Sequence, residues 1–178
     1  MSLIQIKPYH FMPKINQLWA NEWLLLTSGD FAAGHYNTMT VGWGSLGVMW
    51  GKPFAQVVVR HSRYTYEFMN QYDSFTLTAF PSKYKKALKL LESKSGRDSD
   101  KIAESGLTPI KAQVVAAPSF AEATLSIECK KTYWQDMEPA NFLDPEINTH
   151  YPNHDYHCIY FGDVVHIAGI EKYSVKVL

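Results

Sequence analysis

The chain has 178 residues, 46% hydrophobic and 14% aromatic, and its 17 basic and 17 acidic side chains cancel to a formal net charge of zero. That length and apolar content fit one domain, 1–178, with a substantial core rather than two small ones. Balanced charge supplies no field that would gather nucleic acid or an anionic membrane, so any anion must be held at a local site.

Residues Met1 to Pro8 lack the apolar core and small-residue cleavage pattern of a signal peptide, and no run of about 18 apolar residues occurs. The expectation is a cytoplasmic protein that does not cross a membrane. Trp23 to Thr27 reads as a buried strand that runs into a turn at Ser28-Gly29-Asp30. Phe54 to Arg60, bounded by Pro53 and the turn at Ser62, is a second strand rich in β-branched residues, and Asp73 to Ala79 alternates with period two as a third. Tyr64 to Tyr72 between them is a short helical candidate. Tyr84, Ala87, Leu88 and Leu91 recur at i, i+3, i+4 and i+7, so Ser82 to about Ser93 is predicted as an amphipathic helix with its lysines outward.

The loop Ser95-Gly96-Arg97-Asp98 leads into a short helix through Lys101-Ile102-Ala103-Glu104, capped by Asp98 or Ser99 and stopped by Gly106. Further strands are expected at Ile110 to Ala116, Ala123 to Tyr133 and His157 to Glu171. Strands outnumber helices, and no strand is followed by the long helix a parallel sheet needs, which points to an antiparallel barrel with helices attached. Cys129 and Cys158 fall in separate strands with no CxxC pairing and read as small buried hydrophobes.

Three blocks carry candidate chemistry. Arg60 and Arg63, with Ser62, Tyr64 and Thr65, bracket a turn that starts a helix; guanidiniums, hydroxyls and helix-start amides suit a phosphate. The bland alternative is a capped surface turn with its arginines in solvent. Asn37 to Ser45 places the amides and hydroxyls of Thr38, Met39 and Thr40 beside Trp43, a set suited to a flat polar ring. The same residues also describe an ordinary Thr-rich strand. Ser93 to Lys101 combines a turn glycine with several cations and hydroxyls.

At these blocks the sequence resembles the flavin reductase-like, FMN-binding split-barrel family, closest in pattern to its flavoredoxin-like members. The resemblance spans about Trp23 to Gly169 and includes Ala103 to Pro109 and Cys129 to Tyr133. It implies a six-stranded split β-barrel, mainly β with attached helices, assembled as a homodimer around FMN. By match it assigns cofactor contacts to Asn37, Thr38, Met39, Thr40, Trp43, Arg60, Ser62, Arg63, Tyr64, Thr65, Ser95, Gly96, Arg97 and Lys101. The implied activity is hydride transfer from NADH or NADPH to FMN, then onward to a small molecule or protein acceptor, with no catalytic side chain required. Gly42 departs from a serine often found in the family, and Met137 to His154 matches no pattern.

His150, His154 and His157, near Asp155 and Cys158, have spacings that invite a metal, but strand alternation would send His157 and Cys158 to opposite faces, and no metal is expected. Hydrolase and P-loop patterns are missing, and no Gly-x-Gly-x-x-Gly fingerprint occurs, so a nicotinamide donor would bind transiently. A flavin-dependent electron carrier, a non-enzymatic split-barrel module for another flat ligand, and pyridoxamine phosphate oxidation stay open.

Overall fold

The computed structural model describes residues 2–175. Among them the strands are β1 (Ile4–Gln5), β2 (Leu24–Asp30), β3 (His35–Val41), β4 (Gly44–Met49), β5 (Lys52–Arg60), β6 (Ser74–Ala79), β7 (Pro109–Ile110), β8 (Ser119–Phe120), β9 (Leu125–Asp136) and β10 (His157–Gly169). The helices are α1 (Ile15–Gln17), α2 (Tyr64–Gln71), α3 (Lys85–Ser93) and α4 (Lys101–Ser105). None of the described helices is long and apolar enough to cross a membrane.

The strand pairings are antiparallel, and the main sheet runs β3-β2-β6-β9-β10-β5-β4 with β1 added on β10. The two ends of that path, β3 and β4, are separated in the chain by Gly42 and Trp43 alone. At about 3.8 Å per residue the two edges must come together there, so the sheet curls into a barrel joined at a chain corner rather than by a ladder. Gly44 permits the corner, because a Cβ there would stand 2.5 Å from both the Gln56 carbonyl and the Trp19 ring. The sheet therefore has eight strands, not the six expected, and Asn37 to Ser45 is the end of one strand and the start of another.

Both faces of β2 are buried, which explains its unbroken apolar run. Leu24 and Leu26 point into the barrel with Val57, Val59, Phe75, Leu77 and Ile127. Leu25 points outward, against Leu88 and Leu91 of α3, Ile102 of α4, and Phe120. Burying each such side chain contributes roughly 1.5–3 kcal/mol, and here that stabilisation fixes α3 beside β3. Thr40 reinforces the contact by donating to the Leu88 carbonyl at 2.7 Å. The helix expected from Ser82 begins as one 3-10 turn, Ser82–Tyr84, before α3.

Two expected elements differ. The predicted turn at Ser28-Gly29-Asp30 is strand: Gly29 has φ 131° and a Cβ there would lie 2.4 Å from the His35 carbonyl oxygen, so this glycine serves a close strand approach. The turn follows at Phe31 to Gly34, where the Asp30 carboxylate accepts from the Ala32 amide at 2.8 Å. The strand expected over 110–116 shrinks to Pro109–Ile110, because the amides of Gln113, Val114 and Val115 donate to the buried Glu128 carboxylate at 2.9, 2.7 and 3.1 Å. Both cysteines are buried, and desolvation pushes the Cys129 thiol upward and the Cys158 thiol up to about 11, so both stay protonated at neutral pH.

Candidate functional site

Helix α2 starts beside the corner of the barrel, and its N-cap, Arg63, makes no side-chain capping bond. The first residues of α2, Tyr64 and Thr65, line a cavity of about 170 Å³ together with Ser62, Arg63, Ser95, Lys101 and Met39. Lys101 is nearly fully buried, and its ammonium donates to the Leu91 and Lys94 carbonyls, both at 3.1 Å. An ammonium has three donors, so one is left for a ligand. Burial, and then the nearby Arg63 guanidinium, lower the Lys101 pKa to about 8. Two cations and a helix start around so small a volume form an anion cradle of phosphate size.

Arg63 and Met39 also line a second cavity of about 280 Å³, with Thr40, Trp43, Arg60, Val58 and His157 around it. The two cavities adjoin across Met39 and Arg63, the smaller polar and cationic and the larger flanked by flat or apolar side chains. Trp43 is about half exposed and packs against the rings of His150 and His157, both at 5.3 Å between centroids. The His157 imidazole shares a hydrogen bond with the Tyr151 hydroxyl at 2.8 Å. Burial, followed by the Arg60 charge, pushes its pKa down to about 4, so His157 is neutral at pH 7.

The structure brings most of the expected residues to this site, with three corrections. Thr38 is fully buried, and its hydroxyl accepts from the Thr27 hydroxyl at 2.9 Å and donates to the Leu26 carbonyl at 3.0 Å, so it is engaged within the sheet rather than at the site. Arg60 stands at the ring end, away from the small cavity; it donates to the carbonyls of Asp155 at 3.1 Å and His150 at 2.8 Å and lies over the Tyr151 ring. Arg97 lines neither cavity, since it donates to the Ser62 carbonyl at 3.0 Å and pairs with Glu67 at 2.6 Å.

Of the remaining residues, Ser62, Tyr64, Thr65 and Ser95 wall the small cavity, whereas Asn37 and Gly96 line neither cavity. Ser62 donates to Asp155 at 2.5 Å, and Arg63 donates to the Glu92 carbonyl at 2.8 Å. Asn37 donates to Thr65 at 2.8 Å, and Gly96 is pressed so closely on Asn37 that a Cβ would sit 2.4 Å from its side-chain oxygen. The Ser95 hydroxyl accepts from the Arg97 amide at 3.2 Å. The cap of α4 is Asp100, which accepts from the Ala103 amide at 3.0 Å, rather than Asp98 or Ser99. Gly106 ends α4 with φ 71°, as expected.

Sequence reasoning missed His157, Trp23, Val58 and Glu92 as cavity-lining residues. For His157 the signal lay in strand pairing, which sets it opposite Arg60. The unmatched segment forms two 3-10 turns, Pro139–Asn141 and Pro145–His150, and Arg60, Ser62 and Trp43 fasten its far end to the site.

A split antiparallel barrel with an anion cradle opening onto a flat pocket is a mononucleotide-binding architecture. The chain belongs to the flavin reductase-like domain family, whose model matches residues 19–175. Among solved structures it is similar to an FMN-binding domain of a flavin reductases-like enzyme from Shewanella baltica, at 16% identity over 94% of this chain and 76% of that one, with TM-score 0.68. A flavoredoxin from Methanosarcina acetivorans shows 24% identity over 87% and 72%, with TM-score 0.65. The NADH:FAD oxidoreductase of Streptomyces globisporus shows 16% identity over 82% and 74%, with TM-score 0.61. No curated protein matches the sequence.

Proposed function

We propose that the protein binds FMN and is an oxidoreductase that takes hydride from NADH or NADPH and passes the electrons to a second acceptor. The observation that carries this reading is the pair of cavities sharing Met39 and Arg63, one sized and charged for a phosphate and the other shaped for a flat ring. Family membership and the FMN named for the Shewanella baltica relative support it.

In this reading Arg63, the third Lys101 donor, the Thr65 hydroxyl and the first amides of α2 hold the phosphate, while Ser62 keeps its proton on Asp155. Met39, Thr40 and Trp43 flank the ring, and Tyr64 and Ser95 close the cradle. FMN, when bound, supplies the hydride-accepting and electron-donating chemistry. Arg60 fixes the segment from His150 to Asp155 against the ring end, while Trp43 and His157 exclude water from that wall. His157, neutral and hydrogen-bonded to Tyr151, keeps a second positive charge away from Arg60.

Equilibrium titration with FMN tests the assignment: saturable binding with one FMN per chain is expected, and no binding by the folded protein refutes it.

A homodimer is part of the same reading. Val48, Trp50, Tyr133 and Trp134 expose large apolar surface, and Trp50 packs on Tyr133 and Phe161, both at 6.3 Å, forming one aromatic patch. Sedimentation velocity checks it, since a monomer at micromolar concentration would refute it. A cytoplasmic location, where reduced nicotinamide is supplied, completes the proposal.

A further inference from the structure

A separate cleft of about 390 Å³ shares no lining residue with the two cavities of the candidate site. Its floor is the outer face of β9 and β10. Leu125, Ile127 and Cys129 of β9 pack in the barrel core, so Ser126 and Glu128 between them face outward. On β10, Val164 and Ile167 are three residues apart yet both pack on the core, which strict alternation forbids. The ladder shifts between Val164 and His166, and this β-bulge sets His166 opposite Glu128 on the outer face.

The bulge leaves an imidazole whose hydrogen bonding is incomplete. Glu128, 2% exposed, already accepts from the amides of Gln113, Val114 and Val115 and offers the cleft little further acceptor capacity. His166 is 11% exposed; its Nδ1 stands 3.1 Å from Glu128 Oε1 but out of line for a hydrogen bond. Its Nε2 is not sealed in, has no partner among the described residues, and so opens into the cleft. Buried polar groups are normally paired, so this ring is arranged for a partner from outside the chain. Ser119 donates to Ser126 at 2.9 Å, which leaves the Ser126 proton unengaged. Lys111 borders the cleft, is exposed, and has no ion-pair partner among the described residues.

The groups still unengaged are therefore donors and cations. With His166 as imidazolium, Nδ1 faces Glu128 and Nε2 presents a proton to the cleft. Glu128, His166 and Lys111 together then leave one positive charge unbalanced. Leu3, Ile110 and Ala168 add an apolar wall. We propose that the cleft is a second ligand site and takes a small monocarboxylate with a compact apolar body. The carboxylate meets Lys111, the Ser126 hydroxyl and His166 Nε2, and the body lies on Leu3 and Ile110. This assignment is independent of the flavin reading.

Benzoate is the probe, with benzylamine, a similar body of opposite charge, as the control. Nitrogen-15-labelled protein, with and without FMN, is titrated with each while amide and imidazole resonances are followed. Benzoate should bind saturably with Kd below about 1 mM. Its shifts should centre on residues 111–113, 119 and 126, and the His166 ring nitrogens should move to imidazolium positions. Benzylamine should leave them unmoved. Lys111→Gln, a change at an exposed side chain, should weaken benzoate at least about tenfold. Unsaturated or charge-blind binding, displacement of benzoate by FMN, or unchanged affinity in Lys111→Gln overturns the proposal and leaves the flavin reading standing.

Discussion

Lys101 makes the anion cradle sensitive to pH in a way that the geometry sets. The ammonium is buried, spends two donors on the Leu91 and Lys94 carbonyls, and has its pKa lowered to about 8 by desolvation and then by Arg63. A phosphate dianion beside it favours the charged form, so the pKa in the complex lies above that of the free protein. Affinity is then flat below pH 8 and falls as pH rises through 8, because binding must first return a proton to a neutral amine. One pH unit above the free-protein value leaves about a tenth of the lysines charged, so the FMN Kd at pH 9 should be about tenfold weaker than at pH 7. Fluorescence titration across pH 7 to 9.5 measures it, with circular dichroism confirming that the fold persists. Lys101→Met should bind FMN weakly at both ends and lose the slope. A wild-type Kd that does not change over this range would refute the placement of Lys101 against the phosphate.

Other outcomes follow from the same contacts. Arg63→Ala should weaken FMN by more than about tenfold, since a charged hydrogen bond to phosphate contributes roughly 1.5–3 kcal/mol, and isothermal titration measures the loss. Glu128→Ala leaves three amides of the 113–115 segment without their acceptor, and urea unfolding should show a loss of roughly 2–4 kcal/mol. For His157 the folded pKa is lowered to about 4, so the unfolded chain binds the extra proton between pH 6.5 and 4. Stability contributed by the neutral ring is therefore present above pH 6.5 and lost as pH falls toward 4, by at most roughly 3 kcal/mol. Urea unfolding at pH 7 and pH 5 should show a smaller acid loss in His157→Gln than in the wild type.

The antiparallel plan was legible because period-two and β-branched runs such as Phe54 to Arg60 and Asp73 to Ala79 leave a local signature. What escaped depended on partners distant in sequence. Gly29 reads as a turn residue until β3 is seen crossing 2.4 Å from where its Cβ would be. Residues 110–116 read as a strand because nothing local announces that Glu128 takes their amides.

At the site, the blocks around Met39, Arg63 and Lys101 were found by residue type and resemblance, and they do converge. Thr38 was included with its neighbours, although its hydroxyl is spent on Thr27 and the Leu26 carbonyl, partners on the adjacent strand that the sequence does not reveal. Arg60 and Arg63 looked equivalent in sequence, yet Arg60 ends β5 and Arg63 starts α2, which sends one to the Tyr151 segment and the other to the cradle.

The central claim is that this barrel holds a flavin that a nicotinamide reduces, and an anaerobic absorption spectrum tests it most directly. The protein loaded with FMN should show oxidised-flavin bands that bleach on addition of NADH or NADPH and return when an acceptor is added. Bands that persist with both donors would contradict the account, leaving a flavin carrier that does not turn over nicotinamide.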